Sequence, residues 1–219
     1  MRNYMKIFIY LIVLFGFNFT YAGSYDDFFV AVKRDSPDEV RVLLQRGFDP
    51  NTVDPKGRTG LHLALGEPSL KVAQVLIDWP KTNVEARNLS DESPLMIASL
   101  NGQLDMARKL IARDADVNKT GWAPLHYAAT HGHLDVMRLL LENYAYIDAE
   151  SPNKTTPLMM AASYGTPDAV KLLLEAGADP TLKNMQGLSA IDFAQRAGRA
   201  DLAQLIAGFV RSQQPRGRW

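Results

Sequence analysis

The chain has no cysteine. Disulfides, thiolate metal centres, a cysteine nucleophile and a lipid-bearing cysteine are therefore excluded. Neither charge is in excess, with 24 lysines and arginines against 24 aspartates and glutamates. That balance supplies no general pull toward nucleic acid or acidic lipid. The sequence contains no glycine-rich phosphate loop and no GxSxG turn, so two common catalytic frameworks are missing. Paired carboxylates such as Asp26 and Asp27 look like helix-start residues, favoured there by the positive end of the helix dipole. Histidine is scarce, at four residues.

Long apolar runs are also lacking, save one. "MRNYMK" carries Arg2 and Lys6, and "IFIYLIVLFGFNF" follows as thirteen residues without a charge. A basic start, a short apolar stretch and the small residues Thr20 and Ala22 form the pattern of a cleavable secretory signal,. The run is shorter than the ~20 residues that span a bilayer. Cleavage before Gly23 would leave 22 cations against 24 anions and no stable membrane insertion.

What remains is enough to fold. At 219 residues and 47% apolar composition, the chain can bury a real core. That core is written as a repeat. "TGLHLA" begins at Thr59, "SPLMIA" at Ser93, "APLHYA" at Ala123, "TPLMMA" at Thr156 and "SAIDFA" at Ser189, at spacings of 34, 30, 33 and 33. A second apolar pattern follows each, as in "VMRLLL" (136–141) and "AVKLLL" (169–174). Between them run "GFDPN" (47–51), "DADVN" (114–118), "YAYID" (144–148) and "GADPT" (177–181).

Local chemistry reads these units as helix pairs. Thr156 suits a helix N-cap and Pro157 the first helical position, where a missing N–H costs nothing,. Gly165 is expected to end that short helix, and Gly177 to take the left-handed position after the next,. Helices this short cannot stand alone, so stability must come from stacking neighbours. The end units should then turn polar faces outward, through "VKRDSPDEVR" (32–41) and "RAGRADLAQ" (196–204).

Over about residues 25–210 the chain resembles ankyrin repeats. The resemblance implies an all-α solenoid of stacked helix–turn–helix units, with loops or β-hairpins projecting at right angles. It divides the expected domain 23–212 into an N-terminal cap (25–57), repeats 58–91, 92–121, 122–154 and 155–187, and a C-terminal cap (188–212). A disordered basic tail, 213–219, would follow.

The stretch "APLHYAATHGH" (123–133) holds three of the four histidines. His126 shares its place in the repeat with His62, where two other repeats carry methionine. The resemblance makes both structural, bridging backbone groups of adjacent repeats, and makes His133 a packing residue. His126 and His131 stand five apart, not at the four-residue spacing of helix-borne zinc pairs,. No metal and no cofactor is expected.

Carried over residue by residue, the resemblance places a binding surface on the concave side. Its first two sets are Arg58, Gly66 and Glu67, then Glu92, Leu100 and Asn101. The other two are Trp122, Thr130 and His131, then Thr155, Ser163 and Tyr164. Trp122 and Tyr164 are the expected anchors, since amphipathic aromatics dominate interfaces. Departures cluster beside Trp122: "NKTGWAP" (118–124) is three residues short, which truncates a hairpin tip. Tyr144 and Asp114 replace a helix-ending glycine, and Asp91 and Lys154 a loop glycine.

The sequence therefore predicts a monomeric, exported, non-enzymatic protein-binding module, periplasmic first and secreted second. An accessory role to a periplasmic enzyme is the leading form. A secreted effector or an immunity protein acting on a partner from another cell is the alternative.

Overall fold

The structure is a computed structural model that describes residues 23–213. The expected signal, 1–22, and the tail beyond 213 lie outside the described residues; Gln213 itself ends a helix. The chain divides into two compact units, Met1–Asn83 and Val84–Trp219.

The first unit holds α1 (23–33), α2 (Pro37–Gln45), α3 (Gly60–Gly66) and α4 (Leu70–Asp78). Phe28 of α1 is fully buried and stacks on Phe48 at 4.5 Å between ring centroids. The end face is less polar than the sequence predicts. Val30 and Val42 are each 42% exposed there, among Asp27, Arg34, Asp38 and Glu39. One antiparallel bridge joins Val53 to Thr59, and among the described residues no other strand pairing occurs.

The second unit holds α5 (Pro94–Leu100), α6 (Leu104–Ile111), α7 (Pro124–His131) and α8 (Leu134–Glu142). It continues through α9 (Pro157–Ser163), α10 (Pro167–Glu175), α11 (Ala190–Arg196) and α12 (Ala200–Gln213). The short helices α5, α7, α9 and α11 stack side by side as one row, and α6, α8, α10 and α12 form the second. Leu95, Leu125, Ala98 and Ala128 are completely buried between the rows. This is the helix–turn–helix solenoid the repeat implied.

The capping chemistry explains why the short helices begin where they do. The hydroxyls of Ser93, Thr156 and Ser189 accept from the N–H groups of Met96, Met159 and Asp192, and proline opens α5, α7 and α9. Asn88 and Asn184 shape their loop tips by accepting two backbone N–H groups each. The shortened tip at 118–124 has a different tie: Lys119 pairs with Asp91 of the preceding tip. The ammonium holds the Asp91 carboxyl below the usual carboxylate range.

Gly165 corrects a sequence expectation. Helix α9 ends at Ser163 with Tyr164 as its cap, and Gly165 is not in the left-handed region. Glycine is required for closeness instead. A Cβ there would lie 2.4 Å from the Ala129 carbonyl oxygen and 2.9 Å from the Ala161 Cα. Gly177 does take the left-handed conformation, at φ +101°.

Side chains also stitch each inter-repeat loop to the next. In the second unit, Glu85 accepts from the Asp116 N–H at 3.0 Å. Asn118 donates to the Tyr144 carbonyl (2.8 Å) and accepts from the Tyr146 N–H (2.7 Å). Asp148 accepts from the Asp179 N–H at 3.1 Å. Asn51 plays the same part in the first unit, between Lys81 and Asn83.

Candidate binding site on the inner helices

The third residue of each inner helix turns back onto the N–H of its cap. In the second unit that acceptor is Met96, His126, Met159 or Asp192. His126 does more than the methionines. Its Nδ1 accepts from the Ala123 N–H at 3.1 Å, and its Nε2 donates to the Thr155 carbonyl at 2.9 Å in the next repeat. Ala123 offers no capping oxygen, and the His126 N–H bonds the Ala123 carbonyl at 3.0 Å instead. The ring is completely buried.

Burial pushes His126 below the ordinary imidazole range, so the fold holds it neutral. The unfolded chain takes up that proton below about pH 6.5. Above this pH the stability His126 contributes is complete, and below it that stability falls by up to about 1.4 kcal/mol per pH unit. His126→Gln should cost about 1–2 kcal/mol at neutral pH, the range for a broken buried hydrogen bond. It should also flatten the fall in urea midpoint between neutral and mildly acidic pH. An unchanged midpoint, or an acid slope as steep as the parent's, would refute this role.

Above that ring lies a slot of about 240 Å³, lined by Leu100, Trp122, His126, Tyr127, Thr130 and Met160. Trp122 is half-buried and stands edge-on to His126, with ring centroids 5.2 Å apart. The Thr130 hydroxyl donates back to the His126 carbonyl at 2.8 Å. Tyr127 donates to Glu92 at 3.4 Å, and Asn88 holds the other oxygen of that carboxylate at 2.7 Å. Burial, with Glu92 beside it, raises the Tyr127 hydroxyl well above its ordinary range and keeps it a donor. The walls are apolar, and one carboxylate meets them through Tyr127. Two larger hollows of about 460 Å³ lie in the first unit, and both border α1 at the edge of the described residues.

The slot gathers Leu100, Trp122 and Thr130, while Glu92 reaches it only through its bond to Tyr127. Asn101, His131 and Tyr164 are exposed and Ser163 is half-buried, but none of them lines it. Tyr164 is 66% exposed as the cap of α9. Thr155 departs from the expected surface role: it is 2% exposed, and its carbonyl serves His126 instead. In the first unit, Arg58 is tied to Asp54 at 2.7 Å, while Gly66 and Glu67 are exposed. Tyr127 and Met160 were not anticipated. Their signal is the residue after the histidine position, which runs Ile97, Tyr127, Met160 and Phe193 through the unit and stays half-buried in each.

His133 packs as expected. Its Nε2 donates to the Leu100 carbonyl at 2.9 Å, and its ring covers Gly102, which an added Cβ would bring within 2.5 Å. The exposed His131 stacks on it at 5.8 Å. Among the described residues no three histidine or acidic groups converge to hold a metal ion. No described helix is long and apolar enough to cross a membrane.

Comparison with known proteins matches this geometry. The family model for ankyrin repeats in three copies fits residues 28–120, 81–151, 114–184 and 147–212. Notch homolog protein 1 of Homo sapiens is 33% identical over 132 residues, covering 59% of this chain and 5% of that protein. The B-cell lymphoma 3 protein homolog of Mus musculus is 32% identical over 162 residues, covering 71% of this chain and 36% of its own. The chain thus spans about a twentieth to a third of these curated relatives.

Two solved structures are similar over 83% of this chain. One is a chain from the complex of a predatory endopeptidase from Bdellovibrio bacteriovorus with an immunity protein, at TM-score 0.73 and 28% identity. It covers 83% of this chain and 97% of its own. The other is the crystal structure of the ankyrin repeat protein EF0377, at TM-score 0.72 and 28% identity, covering 83% and 96%. Repeat period, paired helices and family match agree, and the chain belongs to the ankyrin repeat family.

Proposed function

We propose that this chain is an exported, non-enzymatic protein-binding module that anchors a periplasmic partner in the slot beside Trp122. Ankyrin repeats bind other proteins, and repeat proteins of this family are in general interaction modules rather than enzymes. The observation that carries the reading is the size and lining of the slot. At about 240 Å³ it is smaller than the range of ~300–1,000 Å³ typical of small-molecule sites,. Its apolar walls suit a side chain presented by another protein, and the surrounding inner helices offer the remaining contact area.

Affinity capture from periplasmic extract, with the mature chain as bait, tests this. A captured protein whose recovery depends on Trp122 supports the module. Identical recovery by parent and Trp122→Ala baits would defeat it. The export step has its own measurement. Mass spectrometry of protein from the exported fraction should find Gly23 as the first residue, and a membrane-held chain beginning at Met1 would reverse that part.

A second reading is favoured by the solved complex that contains an immunity protein. On that reading this chain would bind and inhibit an enzyme rather than assist one. Activity of the captured enzyme with and without this chain separates the accessory role from the inhibitory one.

A further inference from the structure

The loop after α8 breaks the pattern of its neighbours. In register along the repeats stand Asp114, Tyr144 and Gly177, and two residues on stand Asp116, Tyr146 and Asp179. The stitching bonds align these positions: Asn118 holds Tyr144 and Tyr146, while Glu85 and Asp148 hold Asp116 and Asp179. Tyr144 is 86% exposed and Tyr146 is 68% exposed. Two large aromatic side chains are therefore exposed two residues apart in one loop, with aspartates at matching positions of the neighbouring loops.

Tyr144 occupies this place against its own backbone preference. Its φ is +64°, where the matching residues Gly47 and Gly177 are glycines at +93° and +101°. Asp114, in the same register, lies at φ +61°, so two non-glycine side chains occupy a conformation that disfavours them,. Aspartates hold the matching positions of the neighbouring loops, with Arg113 beside Asp114. Asp114, Asp116 and Asp179 form no salt bridge among the described residues, while Arg138 and Lys171 are taken by Asp135 and Glu175. None of these residues lines the Trp122 slot.

We propose that Tyr144 and Tyr146 form a second docking surface, which takes an arginine- or lysine-bearing segment of a protein partner. A tyrosine ring attracts a cation to its face, and the flanking aspartates complement the same charge. They also repel anionic lipid headgroups, which excludes the ordinary membrane-surface use of exposed aromatics.

The test uses the protein purified from the exporting cell and three probes. These are a short fluorescent peptide of alternating arginine and serine, its glutamate-for-arginine counterpart, and phosphatidylglycerol vesicles. The basic peptide should bind saturably, and about five- to tenfold more weakly to Tyr144→Gly and to Tyr146→Ser. Leu89→Ser, at a remote exposed tip, should leave its affinity unchanged. Tyr144→Gly should melt no lower than the parent, so its loss of binding is not unfolding. Equal binding of the acidic peptide, full affinity in both tyrosine variants, preference for the vesicles, or no saturable binding would each overturn the proposal.

Discussion

Gly165→Ala should destabilise the fold by about 3 kcal/mol, the upper part of the range for overpacking. The added methyl group has nowhere to go. It would meet the Ala129 carbonyl oxygen at 2.4 Å and the Ala161 Cα at 2.9 Å, both backbone atoms of packed helices. A flexible side chain could swing aside, whereas α7 and α9 would have to part. Gly177→Ala provides the contrast. Nothing lies within 4 Å of a Cβ there, but φ is +101°, so only backbone strain of about 1 kcal/mol is expected. Urea unfolding of the two variants decides it. If Gly165→Ala loses no more than Gly177→Ala, the close approach is not what that glycine serves.

Trp122→Ala should weaken capture of the partner about 30-fold or more, equivalent to about 2 kcal/mol and the threshold for a hot-spot residue. The indole forms one wall of the slot, edge-on to His126. Truncation removes both the contact area and the shape of the cavity. Because Trp122 is half-buried, a stability loss of about 1 kcal/mol should accompany it. Tyr164→Ala should do less, since Tyr164 caps α9 outside the slot. A partner held equally by the Trp122→Ala protein, with melting otherwise normal, would remove the slot from the interface.

The repeated helix pairs were legible because period is a one-dimensional property. Spacings near 33 residues, with Leu or Ile two residues after each cap, place each inner helix without any knowledge of contacts. His126 was legible for the same reason, since its column alternates with methionine and both take the N–H of the cap residue. The slot was only half visible. Trp122 stood out as an aromatic beside a shortened tip, but Tyr127 and Met160 did not. Their half-buried place in the slot emerges only when α5, α7 and α9 stack. Gly165 misled because a glycine near a helix end suits both a left-handed turn and a tight contact, and sequence alone does not separate those uses. The stitching by Asn118 and Asp148 was hidden altogether, because each partner lies about one repeat away and is a backbone group.

The buried His126 imidazole borders the slot and closes the seam between two repeats, through Ala123 on one side and Thr155 on the other. A guest in the slot would therefore pack beside a joint of the scaffold. By reciprocity, a guest that favours the closed seam tightens it by the same free energy that the closed seam lends to the guest's affinity. Recognition and the rigidity of the array are, at His126, one quantity seen from two ends.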